Sequence, residues 1–327
     1  MAELLTIGEP LALFASDEEG VSLAKAKKFT KYLAGAEVNV AVGLSRLNHS
    51  VEYVSAVGDD PFGKFLRQAI KQHNVNIKYL YTDPNYATGC MFKSRTSKGD
   101  PNTFYLRKNS AGAHLSKEVI DQIDLSNFKW IHITGILPGI LESPEVITTL
   151  LERARKAEIP ISFDPNLRPA IWSSEDKMIK TVNKIAQSAK LVMPGLAEGE
   201  ILTGEKEPEE IARKYFELSD ITETIVIKVG SKGALIFQRS KPESIMVPGY
   251  KVDRVVDTVG AGDGFAVGVL SGLLENLQIQ EAVKRGNAIG ALAVMSPGDN
   301  DGYPTPNELA QFMKRKRFNY AKNRFIK

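Results

Sequence analysis

The chain has 327 residues, 43% hydrophobic and 25% charged, with 26 Gly, 16 Pro and a net charge of +3. That balance is too apolar for disorder and too charged for a membrane protein, and the length allows about two domains or one large α/β domain with an appendage. A single cysteine, Cys90, excludes an intrachain disulfide and a cysteine-based zinc site.

Taken along the chain, short runs rich in β-branched residues predict strands at 4–7, 51–57, 130–134, 159–163, 191–193, 224–229 and 234–238. Segments with helical spacing predict helices at 37–47, 61–73, 144–156, 175–187, 208–218, 262–276 and 279–295. This alternation implies a mostly parallel sheet covered on both faces, with ligands beyond the C-terminal ends of its strands. Two stretches, 11–33 and 88–107, break the rhythm with alternating segments at 28–33, 89–95 and 103–107. The second is interrupted by the turn signal Ser97-Lys98-Gly99-Asp100-Pro101. We expect one domain over 1–327 whose small β layer, about 11–33 and 86–110, forms a lid.

Charge is uneven: residues 313–327 hold seven basic residues and no acidic one, which leaves the rest of the chain net negative. A negative body is not built to grip a nucleic-acid backbone, and the basic end reads as a solvated helix and tail. The first residues, MAELLTIGEPLALF, show no basic leader, and no apolar run nears the ~20 residues of a membrane helix. A cytoplasmic protein without nucleic-acid or membrane partners is expected.

Chemistry concentrates in Asp257-Thr258-Val259-Gly260-Ala261-Gly262-Asp263-Gly264-Phe265, ahead of a segment rich in small residues. Small residues at a helix start bare main-chain N–H groups to an anion, and the helix dipole adds positive potential there. Asp263, in the same turn, could take a proton from an attacking hydroxyl while a phosphoryl group is held opposite. The same residues also suit a glycine-rich helix start with an ordinary first-turn carboxylate. No G-x-x-x-x-G-K-[ST] occurs, no G-x-G-x-x-G opens an N-terminal strand–helix unit, and the protein-kinase set is missing. The histidines, His49, His73, His114 and His132, have no metal-ligand spacing.

These residues resemble the C-terminal signature of ribokinase-like (phosphofructokinase-B type) carbohydrate kinases: Asp257-Thr258-x-Gly260-Ala261-Gly262-Asp263, then Val267-Gly268. Gly35-Ala36-Glu37-Val38-Asn39-Val40-Ala41 is similar to the first signature of that family, and Val57-Gly58-Asp59-Asp60-Pro61-Phe62-Gly63 follows at the right distance. Further details resemble the 2-keto-3-deoxygluconate kinases of the family: Gly8-Glu9-Pro10, Tyr86-Ala87-Thr88-Gly89, Tyr105-Leu106-Arg107, Phe163-Asp164-Pro165-Asn166-Leu167-Arg168-Pro169 and Gly298-Asp299-x-x-Gly302-x-Pro304. The chain departs from the common pattern at Glu37-Val38 and at Asn48. The family motif N-x-x-E reads Gly195-Leu196-Ala197-Glu198, which weakens a metal role for Glu198.

The resemblance implies a three-layer α/β/α fold with a small β lid and ATP-dependent phosphorylation of 2-keto-3-deoxygluconate at its C6 hydroxyl, with Mg²⁺. Asp263 would be the base and Gly260, Ala261 and Gly262 the anion hole. Tyr86, Tyr105, Arg107, Arg168 and Asp299 would recognise the acceptor, and Gly35 and Asn39 its hydroxyls. Two arginines suit a substrate carboxylate, which neutral sugars lack. Asn166, Arg168, Lys228, Gly230, Ser231 and Gly233, with Gly260 and Gly262, would line the nucleotide groove. Asp257 and the Val259 carbonyl are candidate ligands of a monovalent cation such as K⁺. Open strand edges on the lid are expected to pair copies into a homo-oligomer. The alternatives are a kinase for ribose, fructose or a related sugar, and a non-catalytic sugar-acid sensor.

Overall fold

In the computed structural model, which describes residues 2–96, 101–296 and 298–324 and side chains as far as Arg315, thirteen strands form two sheets. They are β1 (Leu4–Ile7), β2 (Leu11–Glu19), β3 (Phe29–Ala34), β4 (Val51–Gly58), β5 (Leu80–Asp83), β6 (Cys90–Arg95), β7 (Thr103–Leu106), β8 (Trp130–Thr134), β9 (Ile161–Asp164), β10 (Leu191–Val192), β11 (Thr224–Lys228), β12 (Gly233–Gln238) and β13 (Lys241–Pro248). The larger sheet runs β13-β12-β11-β10-β9-β8-β1-β4-β5. It is parallel from β11 to β5, and only β12 runs against the rest.

Strand side chains alternate between two cores. Leu5, Ile7, Ile225 and Ile227 meet the helices Glu145–Lys156, Glu175–Ala186 and Pro208–Leu218; Leu4 and Val226 meet the helices Ala36–Arg46, Pro61–Gln72, Ala261–Leu274 and Ile279–Ala293. This is the expected three-layer arrangement. The smaller sheet, ordered β3-β2-β6-β7, buries Leu11, Leu13, Ala34 and Met91 toward the body. The turn signal at 97–100 lies outside the described residues, as do the side chains of the basic end beyond Arg315.

β5, β13 and the helix Leu196–Thr203 are not among the elements expected from the sequence. Each lacks a strong apolar pattern: β5 buries only Leu80, β13 only Val247, and the helix only Gly199 and Leu202.

Helices Ala261–Leu274 and Ile279–Ala293 cross at close range because their contacts are glycine and alanine. A Cβ on Gly268 would collide with the main chain of Gly286, which cannot yield as a side-chain tip could. Gly268→Ala is therefore expected to destabilise the fold by ~1–3 kcal/mol, read as a lower midpoint in denaturant unfolding. An unchanged midpoint would mean that the two helices do not touch there.

Candidate active site

The tight helix pair carries Asp263 in the first turn of Ala261–Leu274. Gly260 precedes that helix with φ +82, and a Cβ there would collide with the Asp299 carbonyl. No side chain caps the helix. Around this start converge the C-terminal ends of β1, β8, β9 and β11, and together they enclose a cleft of about 420 Å³ under the smaller sheet, lined by Met91 and Tyr105 on that side. A wider groove of about 620 Å³ between Pro208–Leu218 and β12–β13 is less suited to a ligand, because its Arg213 and Arg239 are already bound to Glu210, Glu217 and main-chain carbonyls.

Asp263 is buried and held from two sides. Asn39 Nδ2 donates to Oδ2 at 2.8 Å, and Asn166 Nδ2 donates to Oδ1 at 3.0 Å. Burial pushes its carboxyl up to about 6; the Asn39 bond and the Arg168 charge oppose the rise, while Asp164 and Asp299 add to it. Asn166 sits at φ +40, fixed by its N–H on Asp164 Oδ1 at 3.0 Å. Lys228 Nζ bonds Asp164 Oδ2 at 2.6 Å. Burial alone would discharge Lys228, but Asp164, Glu198 and Asp263 outweigh it and hold the ammonium charged. A Cβ on Gly262 would find only this ammonium, at 3.9 Å, so the helix start and Lys228 face one shared space. Such a space suits a phosphoryl group.

The sequence profile of the pfkB family carbohydrate kinases matches residues 1–306. The chain belongs to this family. It is 43% identical over 317 residues to a 2-dehydro-3-deoxygluconokinase of Bacillus subtilis (strain 168), covering 96% of each chain. Among solved structures it resembles a PfkB protein from Polaromonas sp. JS666, with 38% identity, TM-score 0.84, and 95% of this chain and 99% of that one covered. It also resembles a fructokinase double mutant from Vibrio cholerae O395 with fructose, ADP and potassium ion, with 26% identity, TM-score 0.84, and 95% and 98% covered.

In this pfkB kinase, Gly35, Asn39, Tyr105, Arg107, Asp164, Asn166, Arg168, Lys228, Val259, Gly260, Gly262, Asp263 and Asp299 all line the cleft. Several sit there in other company than the sequence reading expected. Arg107 is not an open arm: its Nε and Nη2 bind Glu9 Oε2 at 2.7 and 2.6 Å, and Glu9 also accepts from Ser110. Asn39 donates from its amide nitrogen to Asp263, and its oxygen accepts from Asn300 Nδ2 at 2.8 Å, so it serves the carboxylate before any sugar. Tyr86 does not line the cleft; its ring stacks on His114 with centroids 3.5 Å apart. Asp299 and Asp257 share the Lys93 ammonium, at 3.0 and 2.5 Å. Gly230, Ser231 and Gly233 form the turn beyond β11, past Lys228, and do not line the cleft. Glu198 acts as a helix-start carboxylate, accepting N–H bonds from Leu167 at 2.8 Å and Gly195 at 2.7 Å.

Glu9, Glu37, Lys93 and Asn300 complete the site; the motifs contain Glu9 and Glu37, but none of the four is assigned a role from the sequence. The signal for Lys93 is a lysine at the buried phase of an alternating strand, two residues after Met91; for Glu37, a carboxylate in the buried first turn of the Ala36–Arg46 helix. Glu37 is fully buried, accepts the Thr134 hydroxyl at 2.5 Å, and is pushed by burial up to about 7. Among the described residues no cluster of three or more His, Cys, Asp or Glu is placed to hold a metal, and no helix is long and apolar enough to cross a membrane.

The raised Glu37 value makes stability depend on pH. The folded state holds this proton more tightly than the unfolded chain, so the protonated group favours folding at low pH and that benefit is lost between about 4.5 and about 7 as pH rises. Glu37→Gln keeps the acceptor for Thr134. Relative to wild type it is expected to gain stability across that window, up to roughly 3 kcal/mol. Denaturant unfolding of both proteins at about pH 5 and about pH 8 checks this; a difference that does not change with pH would contradict it.

Proposed function

We propose that this carbohydrate kinase transfers the γ-phosphoryl group of ATP to the C6 hydroxyl of 2-keto-3-deoxygluconate, giving 2-keto-3-deoxy-6-phosphogluconate and ADP. The observation that carries the reading is the buried Asp263 carboxylate beside an uncapped helix start and Lys228, in a cleft that also holds Arg107 and Arg168. Likeness to the Bacillus subtilis enzyme supports the acceptor.

In this reading the two amides aim Asp263 at the acceptor hydroxyl. As the hydroxyl oxygen bonds to the γ-phosphorus and the bond to the ADP oxygen breaks, the hydroxyl proton passes to Asp263. A carboxyl near 6 is ionised at neutral pH yet basic enough to receive it. The main chain of Gly260, Ala261 and Gly262, with Lys228, takes up charge on the phosphoryl oxygens. Gly230, Ser231 and Gly233 would run along the nucleotide, and the smaller sheet would act as the lid that excludes water.

Mg²⁺ fits as an ion carried on the nucleotide rather than in a protein cage. Asp164 is taken by Lys228 and the Asn166 N–H, and Glu198 by two main-chain N–H groups, which leaves water-mediated contact to both. When bound it neutralises charge between the phosphates. A potassium ion on Asp257 and the Val259 carbonyl does not fit in the same way: Asp257 Oδ2 already holds the Lys93 ammonium and Oδ1 accepts the Val259 N–H at 3.0 Å. No step is routed through one. ATP as donor accords with a cytoplasmic setting, and the edge strand β7, with Phe104 55% and Leu106 54% exposed, accords with pairing of two copies.

Arg168 is exposed, and among the described residues its side chain bonds only the neighbouring Leu167 carbonyl, so it is the arginine free to take a substrate carboxylate. Its loss removes a charge-assisted contact of roughly 1.5–3 kcal/mol, or about 10- to 150-fold in kcat/KM. Coupled ADP detection should rank ketodeoxygluconate above gluconate, ribose and fructose, and Arg168→Ala should lose that factor with the acid while sparing the best neutral sugar. A better kcat/KM with ribose or fructose would overturn the acceptor, and the absence of ATP turnover with every acceptor on the panel would leave a non-catalytic sensor as the reading to test.

A further inference from the structure

Lys93 belongs to β6, one strand of the smaller sheet, and its side chain shares the inward phase with Met91. It is only 3% exposed. From there its ammonium crosses to the body and lies 2.5 Å from Asp257 Oδ2 and 3.0 Å from Asp299 Oδ1, both carboxylates nearly as buried as the lysine. These acids bracket the loop that precedes Asp263. Asp257 opens it, folding back to accept the Val259 N–H, and the Asp299 main chain lies against Gly260 where a Cβ would collide. Two carboxylates so largely enclosed, with Asp263 close by, call for a cation between them, and the Lys93 ammonium contacts both.

We propose that Lys93 is that cation: a tethered ammonium that stands where a free potassium ion would otherwise balance Asp257 and Asp299, so that this kinase works without a monovalent metal ion. An ammonium carries the same single charge as K⁺ and is close to it in size, and it satisfies the carboxylates by hydrogen bonds that a metal ion would replace with Coulomb contacts. The tether adds something a free ion lacks. The counter-charge of the loop arrives only when the smaller sheet is seated over the cleft, so seating that sheet and shaping the loop are one event. Lys93 acts through the loop and is a positioning residue. The proposal rests on the reading of the Asp257–Asp263 loop as the phosphate-binding loop.

The test compares wild type and Lys93→Met in tetramethylammonium buffer, with potassium, ammonium or tetramethylammonium chloride added at constant ionic strength. Wild-type kcat should change by less than about twofold on adding potassium, whereas Lys93→Met should lose about tenfold or more and recover most of it with potassium or ammonium but not with tetramethylammonium. Thermal unfolding gives a second readout that needs no sugar: potassium should raise the Tm of Lys93→Met and leave that of wild type unchanged. That arm stays valid if the acceptor is wrong. A wild type that requires potassium would overturn the proposal, and so would a Lys93→Met defect indifferent to both potassium and ammonium, since the lysine would then be a plain strut. If Lys93→Met does not fold in any salt, the wild-type arm alone decides.

Discussion

A carboxylate at a helix start, shut away from water and still required to ionise, is the constraint around which this molecule is arranged. Asp263 meets it with two amide donors drawn from remote parts of the chain, Asn39 on the Ala36–Arg46 helix and Asn166 after β9. Burial raises the carboxyl to about 6, and the Asn39 bond and the Arg168 charge offset only part of that rise. The parallel sheet makes this possible, because its strand ends deliver β1, β8, β9 and β11 to one rim. The glycine contacts between Ala261–Leu274 and Ile279–Ala293 then let the helix bearing Asp263 sit close against its partner below that rim.

The remaining charges of the cleft are settled in pairs. Glu9 holds Arg107, Asp164 holds Lys228, and Asp257 with Asp299 holds Lys93. Glu198 is spent on main-chain N–H groups, and Glu37 is raised to about 7. Among the described residues that line the cleft, Arg168 is the cation without a carboxylate partner. A buried pair contributes little to stability against an apolar replacement, but losing one member leaves a stranded charge. The pairs therefore fix geometry more than they add stability, and they leave Arg168 unpaired among the described cations that line the cleft.

Much of this was legible in the sequence. Short apolar runs rich in β-branched residues, such as Leu4–Ile7 and Trp130–Thr134, are strands with those same bounds, and the Pro208–Leu218 helix runs between the expected residues. The Gly260–Asp263 turn could be read because its chemistry is local: small residues, a helix start and a carboxylate within one turn. Partnership across the fold could not. That Arg107 is tied to Glu9, 98 positions away, or that Asn39 turns toward Asp263 and Asn300, depends on where the sheet brings distant loops. The weak elements failed for another reason: β13 is an exposed edge whose Lys, Glu and Pro suppress any alternating signal.

The central claim is that Asp263 takes the acceptor proton, and its removal tests that most directly. Asp263→Asn keeps the size of the side chain, so calorimetry should find nucleotide and acceptor still bound while kcat falls at least ~100-fold. In wild type, kcat/KM should drop on the acid side with an apparent value of about 6, and that limb should vanish from the residual activity of the variant. Near-normal turnover by a folded Asp263→Asn protein, or the same acid limb in both proteins, would contradict the account.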